Sequence, residues 1–198
     1  MLLSSCAVPP GGGSFGRASR NFFTQQIPRA ARHVHGRVTS LFNGGMNDGS
    51  FWYADEMRGK PSVVIDLSDQ MVYLFKGGEL AGGSPISSGS EGYGTQAGNY
   101  AIMEKDIDHL SSIYGDYIDR YGNILATNID NRVDPCPPGG IFDGAKMYYF
   151  MRVYGGVGMH QGYLPGYPAS HGCIRLPGHM AEKFYHVVKV GTPVKIVH

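Results

Sequence analysis

Apolar and polar positions along this chain alternate in short runs, which predicts strands before helices. Ser62–Leu67 is β-branched and apolar, Ser68-Asp69 offers a turn, Gln70–Phe75 repeats the pattern, and Lys76-Gly77-Gly78 closes it. This reads as a β-hairpin. Glu79–Ser88 and Gly98–Met103 read as further strands. Asp106–Asn131 mixes charges, tyrosines and glycines with no clean period, which predicts a long surface excursion with short helical turns. Lys146–Val153 is an aromatic-rich strand candidate, and Gly155–His160 carries a strand tail into a loop. Only Gly178–Val188 has helical spacing, with Met180, Phe184, Val187 and Val188 on one face. Gly191 suits a helix stop, and Thr192–Val197 alternates as a closing strand. The expectation is a mainly β fold with one packed helix and no internal repeat.

Composition refines this picture in two places. With 198 residues, 42% of them hydrophobic, the chain can bury a core without disulfides or metal. Its 30 glycines and 13 tyrosines fit strands and turns. The segment 1–59 reads differently from 60–198. It holds Pro9-Pro10, Gly11-Gly12-Gly13 and five arginines between Arg17 and Arg37, with no acidic residue before Asp48. It is read as a flexible basic linker, or as a tether beside an anionic membrane or wall. The net charge of +1 gives no argument for nucleic-acid binding, and no apolar run approaches the ~20 residues of a membrane-spanning helix.

The three cysteines, Cys6, Cys136 and Cys173, are too few and too odd in number for a disulfide scaffold, although a Cys136–Cys173 bridge stays open. The chemistry concentrates in Met159–Leu176, where His160, His171 and Cys173 lie close together. A free thiol is only a few per cent thiolate at neutral pH, and a neighbouring imidazole can take its proton. His171 is two residues from Cys173, so an extended segment would point both to one side. His160, at the preceding strand end, can fold back across the loop to the sulfur. Gly172 leaves room for a substrate carbonyl, and amides near Gly172 and Cys173 suit an oxyanion hole. Arg175 carries a fixed, forked charge suited to a carboxylate. A zinc site from His160, His171, Cys173 and His179 is conceivable but lacks a second cysteine.

Ser170-His171-Gly172-Cys173, preceded by His160 and followed by Ile174-Arg175, resembles the signature of the L,D-transpeptidases of the YkuD/ErfK type. The resemblance extends over most of Pro61–Val197. The Val63–Ser68 and Val72–Phe75 hairpin looks like the family's first strands. Gly94–Tyr100 looks like its TPTG-containing segment, with Gln96 and Ala97 replacing the usual proline and threonine. The spacer from His160 to Ser170 is shorter than the common pattern. The resemblance implies a β-sandwich with one helix packed after the cysteine, and peptidoglycan stem peptides as substrate. Cys173 is then the nucleophile and His160 the base and later acid, oriented by the Gln161 carbonyl. Ser170, His171 and Gly172 line the site and its oxyanion region, Arg175 holds the donor stem or its carboxylate, and Tyr163 and Tyr167 flank the donor groove. No metal or organic cofactor is implied. The acceptor is an amine of a neighbouring stem or of a wall-anchored lipoprotein, and carbapenems are expected to acylate Cys173.

Leu3-Ser4-Ser5-Cys6 also resembles the lipobox of bacterial lipoproteins. It makes Cys6 a candidate lipidation site and membrane attachment point, in a periplasmic protein of the cell envelope. Only Met1 and Leu2 precede it, so this reading requires an apolar segment encoded upstream; otherwise the match is chance. Two other functions stay open. One is a cysteine hydrolase trimming the same stems as an L,D-carboxypeptidase. The other is a catalytically silent wall-binding module.

Overall fold

The structure, a computed structural model, describes residues 48–198. Cys6 and the arginines from Arg17 to Arg37 lie outside the described residues. The expected hairpin is the frame of the first sheet. Strands β2 (Pro61–Asp66) and β3 (Met71–Lys76) pair antiparallel from Pro61↔Lys76 to Asp66↔Met71. Their turn closes because the Asp66 carboxylate accepts the Asp69 N–H at 2.9 Å, while Gln70 takes a left-handed φ of 50°. Strand β4 (Glu79–Pro85) extends this meander, and a short β1 (Phe51–Trp52) pairs along its far edge. Gly82 and Gly83 make that edge possible. A Cβ on either would come within 2.6 Å of the Trp52 or Phe51 ring.

The closing strand β13 (Pro193–Val197) returns to lie parallel beside β2, and β5 (Gly98–Ala101) pairs antiparallel outside it. The first sheet is therefore β1-β4-β3-β2-β13-β5. The second is β12-β11-β10-β6, built from β6 (Glu104–Asp106), β10 (Phe150–Tyr154), β11 (Val157–Gln161) and β12 (Ile174–Leu176). Apolar faces of the two sheets share one core with helix α1 (Gly178–Val187). Val63, Ile65, Val194 and Ile196 enter it from the first sheet, and Met151, Met159, Ile174 and Leu176 from the second. The helix adds Met180, Ala181, Phe184 and, at its C-cap, Val188; Val187 is only partly buried. Strand β1 and Ala54 pack into this same unit, upstream of the boundary at residue 59 that composition suggested.

The excursion expected to carry short helical turns is instead a three-stranded sheet, with no helix in it. Strand β7 (Leu110–Ile118) is its centre, flanked by β8 (Ile124–Asp130) and β9 (Ile141–Lys146). The missing period has a structural cause. Register shifts around Gly115 and Tyr117 break the alternation of faces, and most of the sheet has no core to face. The candidate strand at Lys146–Val153 is split. Lys146 ends β9, Tyr149 turns with φ 58°, and β10 starts at Phe150.

Phe184 is fully buried and meets the Trp52 ring edge-on at 5.5 Å, tying the helix to the first sheet. Phe184→Ala is expected to lower the unfolding free energy by about 3–5 kcal/mol, read by urea denaturation.

Candidate active site

The pairing of β11 with β12 decides which side chains share a face. The strands are parallel, with Met159↔Ile174, His160↔Arg175 and Gln161↔Leu176 in register. Met159, Ile174 and Leu176 enter the core, so alternation turns His160 and Arg175 to the opposite face. Cys173, two residues before Arg175, precedes β12 at the same end. Strand β10 adds a further column, with Arg152↔Gly158 and Met151↔Met159 paired. The face away from the core thus carries two rows. One runs Arg152, Gly158, Cys173; the other runs Phe150, His160, Arg175. Gly158 is required here, because a Cβ would sit 2.5 Å from the Phe150 ring.

His160 is 6% exposed. Its Nδ1 lies 2.7 Å from the Gln161 carbonyl, which can only accept, so Nδ1 carries the proton and Nε2 keeps its lone pair. The Gln161 side chain lies against Gly178 at the start of α1, which leaves its backbone as the part that meets the imidazole. Burial pulls the His160 pKa down to about 4, against the Gln161 hydrogen bond, which raises it, and with Arg175 and His109, which lower it. His109 stacks on Phe150 at 4.1 Å, so the root of the excursion covers this row.

Cys173 is a free, partly accessible thiol, as is the exposed Cys136, so no bridge joins them. Its Sγ lies 3.7 Å from the Gly156 carbonyl, in the turn between β10 and β11. Burial raises its pKa, while the Gly158 N–H, Arg175 and Arg152 act in the opposite sense. Both shifts favour the neutral forms, so the resting pair is a thiol and an uncharged imidazole. The expected hydrogen bond between sulfur and imidazole is not formed among the described residues. The thiol is directed to Gly156 instead.

The thiol loop is held by buried polar groups. Ser170 Oγ donates to the Cys173 carbonyl at 2.5 Å and accepts from the Gly172 N–H at 3.1 Å. The Gly172 amide is therefore engaged by Ser170, whereas the Cys173 N–H bonds to none of the described residues. Gly172 has φ 110°, a left-handed value that suits glycine and breaks the extended path from His171 to Cys173. The expected same-side placement of His171 does not follow from that backbone. Its ring stacks on Tyr114 of β7 at 4.3 Å and meets Tyr93 edge-on at 4.6 Å. Burial lowers the His171 pKa, followed by Arg175, while Asp130 raises it.

Several residues that build the site carry no mark of their own in the sequence, Thr95 being marked only as part of the Gly94–Tyr100 segment. Thr95 Oγ1 donates to the Gly172 carbonyl at 2.8 Å and accepts from Gly89 N–H at 2.9 Å. Ser87 and Arg175 exchange both backbone hydrogen bonds at 3.0 Å, and Ser90 N–H reaches the Ser170 carbonyl at 2.9 Å. Gln70 donates to Ser88 Oγ and accepts from Ser88 N–H. The signal available was the small-polar run Ser87-Ser88-Gly89-Ser90 after a strand. Tyr167 is tied by its carbonyl to Ser87 Oγ at 2.8 Å, with its ring exposed. Tyr163 is 78% exposed and lines a cavity of about 520 Å³ with Asp48, Asp69, Met71, Ile86 and Pro177. Neither Cys173 nor His160 lines that cavity. His179 pairs with Asp48 at 3.4 Å, apart from the other histidines, and no group of metal-ligating side chains converges among the described residues.

The buried neutral His160 sets a pH dependence with a defined sign. Its folded pKa of about 4 lies below the ordinary 6.5, so the unfolded chain binds the extra proton in between. The associated stability is present above about pH 6.5 and is lost as pH falls to about 4. The expected loss is about 3 kcal/mol. Urea denaturation at several pH values checks it, with His160→Asn losing that component.

Residues 60–196 match the L,D-transpeptidase catalytic domain (YkuD) family. Solved structures share the fold. An L,D-transpeptidase from Stackebrandtia nassauensis is 20% identical with a TM-score of 0.52, covering 72% of this chain and 57% of its own. The L,D-transpeptidase LdtMt1, in complex with imipenem, is 22% identical with a TM-score of 0.53, covering 69% and 58%. An L,D-transpeptidase from Mycobacterium smegmatis is 22% identical with a TM-score of 0.53, covering 70% and 59%. This chain thus spans under two thirds of the length of these structures. No curated protein matches it. With the family matched across both sheets, the helix and the thiol loop, the chain belongs to the L,D-transpeptidase catalytic domain family.

Proposed function

We propose that this protein is a peptidoglycan L,D-transpeptidase that joins stem peptides through a thioester at Cys173. The observation that carries the reading is the shared face of His160 and Cys173, with Nε2 left as the basic nitrogen by the Gln161 hydrogen bond. Nε2 takes the thiol proton as Sγ attacks the carbonyl of the third stem residue, at the L-centre of a diamino acid. The Sγ–C bond forms, and collapse of the tetrahedral centre breaks the C–N bond. The departing nitrogen keeps the electron pair, accepts the proton from His160, and leaves as D-alanine. An acceptor amine then attacks the thioester, His160 takes its proton, and the thiol is regenerated. A neighbouring stem as acceptor gives a 3→3 cross-link, and a lysine of a wall lipoprotein gives an anchor.

The remaining roles follow from the geometry. Ser170 and Thr95 hold the loop, and the Cys173 N–H is the amide left to meet the oxyanion. Arg175 has its stem under Gly162 and its charge beside His160 and Cys173, so it suits the donor stem. His171, fixed by Tyr93 and Tyr114, walls the cleft. Residues 60–198, with β1 packed on them, then form the catalytic part and the basic N-terminal segment its tether in the cell envelope, with lipidated Cys6 as the anchor where an upstream apolar segment is encoded. No helix among the described residues is long and apolar enough to cross a membrane.

The deciding experiment is mass spectrometry of muropeptides after incubation with the purified protein. The expected product is a 3→3 dimer with release of D-alanine, absent with Cys173→Ala. Tripeptide without dimer would make the protein an L,D-carboxypeptidase, and full activity in Cys173→Ala would remove the thiol mechanism. A carbapenem is expected to add covalently to the folded protein, seen as an intact-mass increase that Cys173→Ala lacks.

A second measurement follows from the raised thiol pKa. The rate of Cys173 alkylation by iodoacetamide is expected to climb continuously from pH 7 through the ordinary thiol range of about 8.5. A plateau below pH 7 would instead indicate a resting thiolate–imidazolium pair.

A further inference from the structure

Arg152 stands in the row of the nucleophile. It pairs with Gly158 across β10 and β11, and the Gly158 N–H reaches the Cys173 thiol. Two strand spacings place its Cα about 10 Å from that of Cys173, with no β11 side chain between them. Its fork is held at two points. Nε donates to Glu104 Oε2 at 2.6 Å, and Nη1 donates to the Gly155 carbonyl at 3.0 Å. Gly155 adjoins Gly156, whose carbonyl lies against the thiol. A guanidinium has five N–H donors. The other three of Arg152 have no acceptor among the described residues. The side chain is 24% exposed, so the fork is neither sealed in the core nor free in water. The Phe150 ring lies beneath it at 5.1 Å.

We propose that Arg152 binds the carboxylate of the leaving D-amino acid, and so selects donor stems that end in a free carboxylate one residue beyond the attacked carbonyl. The inference rests on the acyl-transfer reading above. The carboxylate of the departing residue lies about 4 Å from the attacked carbon. A guanidinium reaching along the nucleophile's own row can meet it, while Arg175, beside His160 in the neighbouring row, remains for the stem. The fork matches a carboxylate in two parallel hydrogen bonds. The same chemistry disfavours donors that extend further, because their amide brings no charge to the fork and their next residue must pass it. In the first step the C–N bond breaks, nitrogen takes its proton from His160, and Arg152 keeps the charge of the released carboxylate paired until it departs.

The test compares two donors, a stem tetrapeptide with free C-terminal D-alanine and the same peptide as its C-terminal D-alaninamide. D-alanine or D-alaninamide release is followed with a fixed acceptor. The wild-type protein is expected to favour the free acid by at least about tenfold in kcat/KM. In Arg152→Gln both rates fall, but the ratio is expected to drop to near one, with Arg152→Lys recovering part of it. Thermal melts and carbapenem adduct formation in each variant separate a lost fold or lost thiol from lost selection. A wild-type ratio near one, or a ratio kept in Arg152→Gln, overturns the inference and leaves the acyl-transfer reading standing. No turnover of either donor by the wild-type protein overturns both.

Discussion

The parallel register between β11 and β12 is the constraint on which the site depends. Side chains alternate across a strand, so a shift of one residue would send His160 into the core and Met159 onto the open face. The register is held from both faces. Met159, Ile174 and Leu176 are fully buried against the helix and the first sheet, and a slip would exchange them for an imidazole and a guanidinium. The apolar core and the chemical face are thus specified by the same pairing, and the energy of burial secures the geometry of the polar side.

The thiol loop draws on a different resource. Between Gln161 and Ile174 the chain leaves the sheet, and its backbone groups need other partners. Ser87, Ser88 and Ser90 supply many of them by running beside the loop, with Thr95 bridging Gly89 and Gly172. These are short side chains with little rotamer entropy to lose; Ser87, Ser88 and Thr95 are buried, Ser90 is half-buried, and all are hydrogen-bonded. Gly89 belongs to the same device. A Cβ there would lie 2.2 Å from the Tyr93 carbonyl and 3.0 Å from Gly172 Cα, so the two backbones approach as closely as they do only without it.

Much of this was legible in the chain itself, and the reasons for the exceptions are physical. The β2–β3 hairpin and α1 carry their own periods, and their spans agree with the pattern to within a residue or two. The sheet β8-β7-β9 carried none, because bulges disturb its alternation and it has little core to face. Around the thiol, residues adjacent in sequence to Cys173 could be named with their roles, whereas the contacts of those brought from afar could not, although Gly94–Tyr100 is marked as a segment by the resemblance. Thr95 lies 77 residues from Gly172 and Tyr114 about 60 residues from His171 along the chain, and no local pattern foretells such contacts. Arg152 is one polar position in an aromatic run of sequence, and only its pairing with Gly158 places it in the row of Cys173.

The balance of charge explains why two arginines are not redundant. Moving a proton from Cys173 to His160 creates a thiolate and an imidazolium where burial opposes both. Arg175 acts on each partner, favouring the thiolate and disfavouring the imidazolium, so its effects on the transfer oppose one another. Arg152, in the row of Cys173, likewise favours the thiolate. Glu104 weakens that effect in the resting state by sharing the guanidinium's charge. The neutral resting pair follows from this arrangement: Arg152 and Arg175 favour a thiolate, yet burial is the larger influence on both partners and holds the thiol and the imidazole uncharged.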